Sequence, residues 1–194
     1  MPPLPAEFPS GAAIEVELLL HRCRNGDCSA WAELIARWER RLFYYICRLV
    51  SKESDAWDIL QQTWVRVYRS IDRLRDPSRL APWLYRIARN TALSHSKAFA
   101  AQQQRIDTDA AVDDLPDDPE IPATWQAEVV HAALVKLSLP HREVLTFFFL
   151  QDLSIEQIAE VIDVPAGTVK SRLHYAKQAI RNILEQEGAH HDRA

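Results

Sequence analysis

Glycine is scarce in this chain, with four among 194 residues, and none sits in the repeated spacing of a phosphate-cradling loop. Cysteine is scarce too. Cys23, Cys28 and Cys47 are an odd set without an export signal, which argues against a disulfide framework. Cys23 and Cys28 have His21 nearby, but a structural zinc site brings four ligands in paired short spacings, and there is no second pair. The thiols are expected to be buried or incidental, with no metal and no cofactor. No apolar run approaches the roughly 20 residues that span a bilayer. Met1–Ser10 lacks the basic start and apolar core of a signal peptide. The expectation is a cytoplasmic protein with no stable membrane insertion. No nucleophile motif points to an enzyme, and no strand signal or long internal repeat competes with helix.

What the chain does have is helical period. Leu, Ala, Arg, Glu and Gln are plentiful. The most informative stretch is Leu153–Leu173. Ser154 is a good N-cap, and Gln157, three residues on, completes a capping box. Ile155, Ile158, Ala159 and Ile162 form an apolar stripe at helical spacing. Asp163 and Val164 fit a turn, and Pro165 suits the first turn of a following helix. In that second helix Val169 and Leu173 face inward, leaving Thr168, Lys170, Ser171, Arg172, His174 and Tyr175 on or near the outer surface. This is the layout of a helix-turn-helix, which sets its second helix in the DNA major groove. A helical hairpin with a solvated charged face has the same local pattern.

The net charge of −4 suits a nucleic-acid binder poorly until it is divided along the chain. Residues 20–100 hold 15 basic and 8 acidic side chains, residues 101–128 hold one Arg and 8 acids, and residues 129–188 are nearly balanced at 6 and 7. Charge is segregated, with a basic first domain beside an acidic connector. From Val16 to Ala100 three helices are expected. Ser29 caps the first, whose apolar positions are Trp31, Leu34, Ile35, Trp38, Leu42, Ile46 and Leu49. Asp55 starts the second, with Ile59, Leu60, Thr63, Trp64, Val67 and Tyr68 along one side. After the turn at Asp76-Pro77-Ser78, Pro82 opens the third, which carries Trp83, Leu84, Ile87, Ala88 and Leu93. Residues 101–124 mix aspartates with Pro116, Pro119 and Pro122 and cannot bury enough apolar surface to offset ordering entropy. Helical period resumes at Trp125. Val129, Ala132, Ala133, Val135 and Leu137 share one helix, and Val144, Leu145, Phe147, Phe148 and Leu150 share another. The last helix is expected to stop at Gly188. The fold class is all-α. Its segments are a disordered 1–15, a helical domain over 16–100, a flexible acidic linker over 101–124, a helix-turn-helix domain over 125–188, and a disordered 189–194 tail.

Both halves resemble one family. Asp55–Arg69 is similar to region 2.2 of bacterial sigma factors. Trp83–Ala92 is similar to regions 2.3 and 2.4 of the extracytoplasmic-function (ECF) group, and Leu153–Lys177 is similar to its region 4.2. Three motifs in order, over roughly residues 16–187, are more specific than any one. The resemblance implies a sigma factor that binds core RNA polymerase, reads the minus-ten and minus-thirty-five elements of promoter DNA and promotes melting. It also implies an anti-sigma factor as a partner.

The same resemblance assigns residues. Asp55, Asp58, Gln61 and Gln62 would meet the clamp helices of the polymerase; the usual motif has an acid where Gln62 stands. Arg86, Arg89, Asn90, Thr91, Ala92, Leu93 and Ser94 would serve the minus-ten element, the stretch from Asn90 taking a flipped base of the non-template strand. Trp83 could stack on a base, although tryptophan at such a position is more often core. Arg142, Thr168, Lys170, Ser171, Arg172, His174 and Tyr175 would serve the minus-thirty-five element. Tyr175 stands where some relatives carry Arg, which removes a bidentate guanine contact. The competing reading is a helix-turn-helix regulator that works without polymerase. It leaves the Asp55–Gln62 face and the Trp83–Ala92 block without a purpose.

Overall fold

The computed structural model describes residues 11–50, 52–95 and 133–191. The expected acidic linker, residues 1–10 and residues 192–194 lie outside the described residues, whereas residues 11–15 and 189–191, expected to be disordered, are helical. Helices account for all regular structure among those described, and no strand occurs there. The first unit contains α1 (Gly11–Arg24), α2 (Cys28–Cys47), α3 (Glu53–Ser70) and α4 (Leu80–His95). The second contains α5 (Leu139–Leu145), α6 (Ile155–Ile162) and α7 (Ala166–His191).

Local chemistry explains the boundaries. Asp27, not Ser29, caps α2. Its carboxylate accepts from the Ser29 and Ala30 amides at 2.8 and 3.2 Å, while the Ser29 hydroxyl itself donates to Asp27. An aspartate two residues upstream outcompetes the serine because it is charged and also pairs with Arg22 at 2.8 Å. Together these bonds hold the Asp27 carboxyl well below the usual carboxylate range, the Ser29 hydroxyl contributing most. Gly26 supplies the φ of +79° that the α1–α2 turn needs. Helix α3 starts two residues earlier than expected, at Glu53. Asp76 caps a short 3-10 turn over Pro77–Arg79 that leads into α4, with Pro82 in the first turn of that helix.

In the second unit Ser154 and Gln157 form the expected capping box, with bonds of 2.9 and 3.2 Å. Asp163 ends α6 in the left-handed conformation at φ 58°, which a short polar side chain tolerates. Pro165 lies one residue before α7 and accepts from the Val169 amide through its carbonyl. Helix α7 passes through Gly188 to His191, so the expected stop there is not made. Ahead of α5, Ala133 and Leu137 are buried as expected, whereas Val135 is exposed. Helix α5 runs on as a π-helical turn over Thr146–Leu150.

One continuous core joins the units. Leu34, Leu42, Ile46, Ile59, Leu60, Val67 and Leu84 fill the first, and Val144, Phe147, Ile158, Val169 and Ala176 fill the second. Phe147 reaches across to the ring of Tyr45 on α2, at 4.7 Å between centroids, and of Tyr85 on α4, at 5.3 Å. Aromatic rings at such angles and distances add attraction beyond buried area. Trp83 is half-buried and packs against this core. Tyr68, expected inward, is instead exposed on α3 beside Trp31.

Candidate nucleic-acid interface

Three surfaces carry the sequence-derived site residues. The first lies on α3. Asp58, Gln61 and Gln62 are exposed and Asp55 is half-buried, so carboxylates and amides on successive turns face outward. Helical period did not mark the apolar neighbours of these residues as exposed. Trp57 is exposed and stacks on Phe43 at 4.1 Å, and Val65 and Tyr68 are exposed on the same helix. With Cys28, Trp31, Ile35 and Trp64 the latter two line a shallow apolar groove between α2 and α3. Large exposed apolar side chains at helical spacing beside amides are the signal that could have found it.

The second surface is the end of α4. Arg86, Asn90 and Ser94 are exposed, Leu93 is half-buried, and Thr91 and Ala92 are buried. The stretch is continuous helix to His95. The hydroxyls of Thr91 and Ser94 donate to backbone carbonyls one turn back, those of Ile87 and Asn90, each at 2.7 Å. Asn90 therefore has the one exposed amide side chain of this segment. Arg89 departs from expectation. Its guanidinium is buried and pairs with Glu143 of α5, Nε to Oε1 at 3.0 Å and Nη2 to Oε2 at 3.5 Å. The Tyr45 hydroxyl donates to the same Oε1 at 2.7 Å. Burial is the largest single influence and works to lower the Arg89 pKa, but Glu143, Tyr45 and Asp163 together outweigh it and the net shift is upward. Burial, then Glu143, pushes the Tyr45 phenol well above its ordinary value. In this arrangement Arg89 is not available to a phosphate.

The third surface is the start of α7. Lys170 and Tyr175 are exposed and Thr168 is half-buried. Ser171, Arg172 and His174 are buried, which corrects their expected outward placement. The reason is that α7 is covered on two sides, by α5 and by α6, so more of its circumference is lost than one apolar stripe predicts. The Ser171 hydroxyl donates to the Gly167 carbonyl at 3.0 Å, and His174 lies 3.1 Å from the Gln178 amide nitrogen. Arg142, expected on a phosphate, is also committed elsewhere. It donates to the carbonyls of Leu134, Val135 and Leu137 in its own unit and of Arg48 in the first, at 2.8 to 3.0 Å. Burial lowers its pKa. A guanidinium with its donors on four carbonyls is a structural clasp.

Among the described residues no group of three or more His, Cys, Asp or Glu side chains is placed to hold a metal ion. None of the helices there is long and apolar enough to cross a membrane. The geometry defines an all-helical, two-unit protein with a capped helix-turn-helix in its second unit and an amide- and arginine-bearing helix end in its first. Comparisons with known proteins carry this further. The sigma-70 region 2 family model matches residues 34–100, and the sigma-70 region 4 model matches residues 127–180. The chain is 32% identical to the RNA polymerase sigma-H factor of Pseudomonas aeruginosa, over 86% of this chain and 92% of that protein. It is 30% identical to the ECF RNA polymerase sigma-E factor of Haemophilus influenzae, over 87% of this chain and 95% of that one. A solved structure of the sigma factor RpoE of Bartonella quintana, in complex with the anti-sigma factor NepR, shares the fold. Its TM-score is 0.61 at 23% identity, covering 79% of this chain and 96% of that one.

The chain belongs to the ECF group of bacterial RNA polymerase sigma factors. It directs core RNA polymerase in promoter-specific transcription initiation and is not itself an enzyme.

Proposed function

We propose that the three surfaces divide the work of initiation. The outer face of α3, with Asp55, Asp58, Gln61 and Gln62, docks on the clamp helices of core polymerase, where carboxylates and amides meet basic and polar partners. The exposed end of α4 takes the minus-ten element, with Asn90 offering both donor and acceptor to an extruded base and Arg86 a phosphate contact. Arg89 joins that surface when the second unit moves away. The start of α7 reads the minus-thirty-five element, with Lys170 reaching base edges, Thr168 and Tyr175 beside it, and the free N–H groups of the first turn meeting a phosphate. Ser171, Arg172 and His174 act through the packing that orients this helix. The observation that carries the reading is the exposure of Asp58, Gln61, Asn90 and Lys170, while Ile59, Leu60, Arg89, Thr91, Val169 and Ser171 beside them are buried.

In this reading the minus-ten domain spans residues 16–100 and the minus-thirty-five domain 125–188, with 101–124 joining them. The protein works in the cytoplasm, where polymerase is. An anti-sigma factor is proposed as a partner, in keeping with the complex in which the Bartonella quintana protein was solved. The test is reconstitution of the full chain with core polymerase on its mapped promoters. Wild type supports specific initiation. Asn90→Ala reduces open-complex formation, and Lys170→Ala weakens promoter binding by roughly ten- to a hundredfold, the scale of one base contact. Unchanged initiation by both variants would falsify these assignments.

A further inference from the structure

The groove between α2 and α3 has a volume of about 730 Å³, room for several residues of chain rather than one side chain. Its walls are largely aromatic. Trp31 and Tyr68 meet at 5.1 Å and 51°, and Tyr68 is 65% exposed. Apolar side chains left open together in this way mark a surface that something covers. Trp64, also in the wall, carries an unanswered donor. Its indole Nε1–H is shut off from water and has no acceptor among the described residues. A buried donor of that kind is costly until a carbonyl meets it. Shallow aromatic grooves bind polyproline II chains, which have no internal hydrogen bonds and so leave every carbonyl open to a donor.

This chain carries such a segment ahead of α1. Met1–Ser10 holds Pro2, Pro3, Pro5 and Pro9, four of the eleven prolines in ten residues. Proline fixes φ close to the polyproline II value, and three residues per turn put Pro2, Pro5 and Phe8 on one edge. That edge is wholly apolar. The only charged side chain in the segment, Glu7, falls on a different edge.

Its reach fits the groove. The Trp31 indole donates to the Cys23 carbonyl, and Ala13 and Val16 share a small cavity with Trp38, so α1 and α2 run antiparallel. Trp31 therefore lies about 18 Å from Gly11 along the helix axis. One helix spacing of about 10 Å sideways makes the path about 21 Å. Polyproline II advances about 3.1 Å per residue, so about seven residues cover it. Counted back from Gly11, that brings Pro2–Pro5 to Trp31, Trp64 and Tyr68.

We propose that the proline-rich N-terminal segment of the same chain seats in this groove, with Pro2 and Pro5 on the aromatic walls. A short tether supplies an effective concentration in the millimolar range. A seat that holds the free peptide at only about 0.1 mM is then filled in about nine chains of ten. Gln61, Val65 and Tyr68 follow one another at helical spacing on α3. The seated segment therefore borders the face that Asp58 and Gln61 present and covers its apolar margin. The seat itself does not depend on the roles proposed for DNA or polymerase.

The test is nuclear magnetic resonance on the full chain, with variants that lie before α1 or on an exposed side chain. In wild type the heteronuclear NOEs of the Leu4 and Phe8 amides should approach those of α1. Pro2→Gly with Pro5→Gly should weaken the seat about tenfold and empty about half the grooves. Those NOEs then fall, and the indole N–H peaks of Trp31 and Trp64 move while that of Trp83 stays. Tyr68→Ser should lower the same NOEs, whereas Pro116→Gly with Pro119→Gly should leave NOEs and peaks alone. Wild-type NOEs at Leu4 and Phe8 as low as those of the double variant overturn the proposal and leave the groove to a partner from outside. High NOEs that survive Tyr68→Ser, with Trp31 and Trp64 peaks that ignore the proline changes, overturn it by placing the segment elsewhere. Peaks of Trp31 and Trp64 that shift on dilution overturn it in favour of a second copy of the chain.

Discussion

Helices α2, α3 and α4 of the first unit run for 20, 18 and 16 residues, whereas α5 and α6 of the second run for 7 and 8. Long helices each bury several turns and form a core among themselves. Helices of two turns cannot do so, because the fixed cost of nucleation is spread over few residues. The second unit compensates at its ends and at its border. It closes α6 with a capping box and a left-handed aspartate, and it completes the burial of Phe147 with two tyrosines of its neighbour. The difference teaches that α7, the helix proposed to read DNA, rests on a framework completed partly by another unit.

The comparison can be broken most directly at Phe147. Phe147→Ala is expected to remove about 3–5 kcal/mol by leaving a cavity between the units, and the second unit should lose hydrogen-exchange protection first. Equal loss of protection in both units would show that the first leans on the second as much as the reverse. A smaller effect is expected at the cap. Ser154→Ala should cost about 1 kcal/mol, read as a fall of roughly 2–4 °C in the thermal midpoint of the chain. The smallest effect concerns Asp27 in the first unit. Its folded-state pKa is depressed, so the unfolded chain takes up the proton first. The stabilisation is complete above about pH 4 and is lost as pH falls through the depressed folded value. Asp27→Asn keeps an N-cap but not the charge, and should flatten the acid limb of a stability–pH curve measured by chemical denaturation. A limb of unchanged steepness would place the acid sensitivity elsewhere.

Much of the fold was legible because its signals are local. The capping box needs only Ser154 and Gln157, the turn only Asp163 and Val164, and the stripes of α2 and α6 only their own spacing. The cap of α2 was misassigned because Ser29 and Asp27 are both good caps, and Arg22, five residues upstream, tips the choice. The site was legible where exposure follows from one helix alone, as at Asp58, Gln61, Asn90 and Lys170. It was not legible at Ser171, Arg172 and His174, because periodicity shows one buried stripe and cannot show that α7 is covered from a second side. Nor could it pair Arg89 with Glu143. They are 54 residues apart in sequence, and each reads alone as an ordinary surface charge. The one hint was the run Phe147-Phe148-Phe149, too apolar for a small unit to cover by itself.

Glu143 lies outside the proposed polymerase face and outside both proposed DNA-reading surfaces, yet it bonds to two helices of the other unit. A lineage can therefore alter how the two units meet by drift at that single position, while the residues proposed to read the promoter stay as they are. The seam and the reading surfaces become separately heritable, written in different residues of one chain.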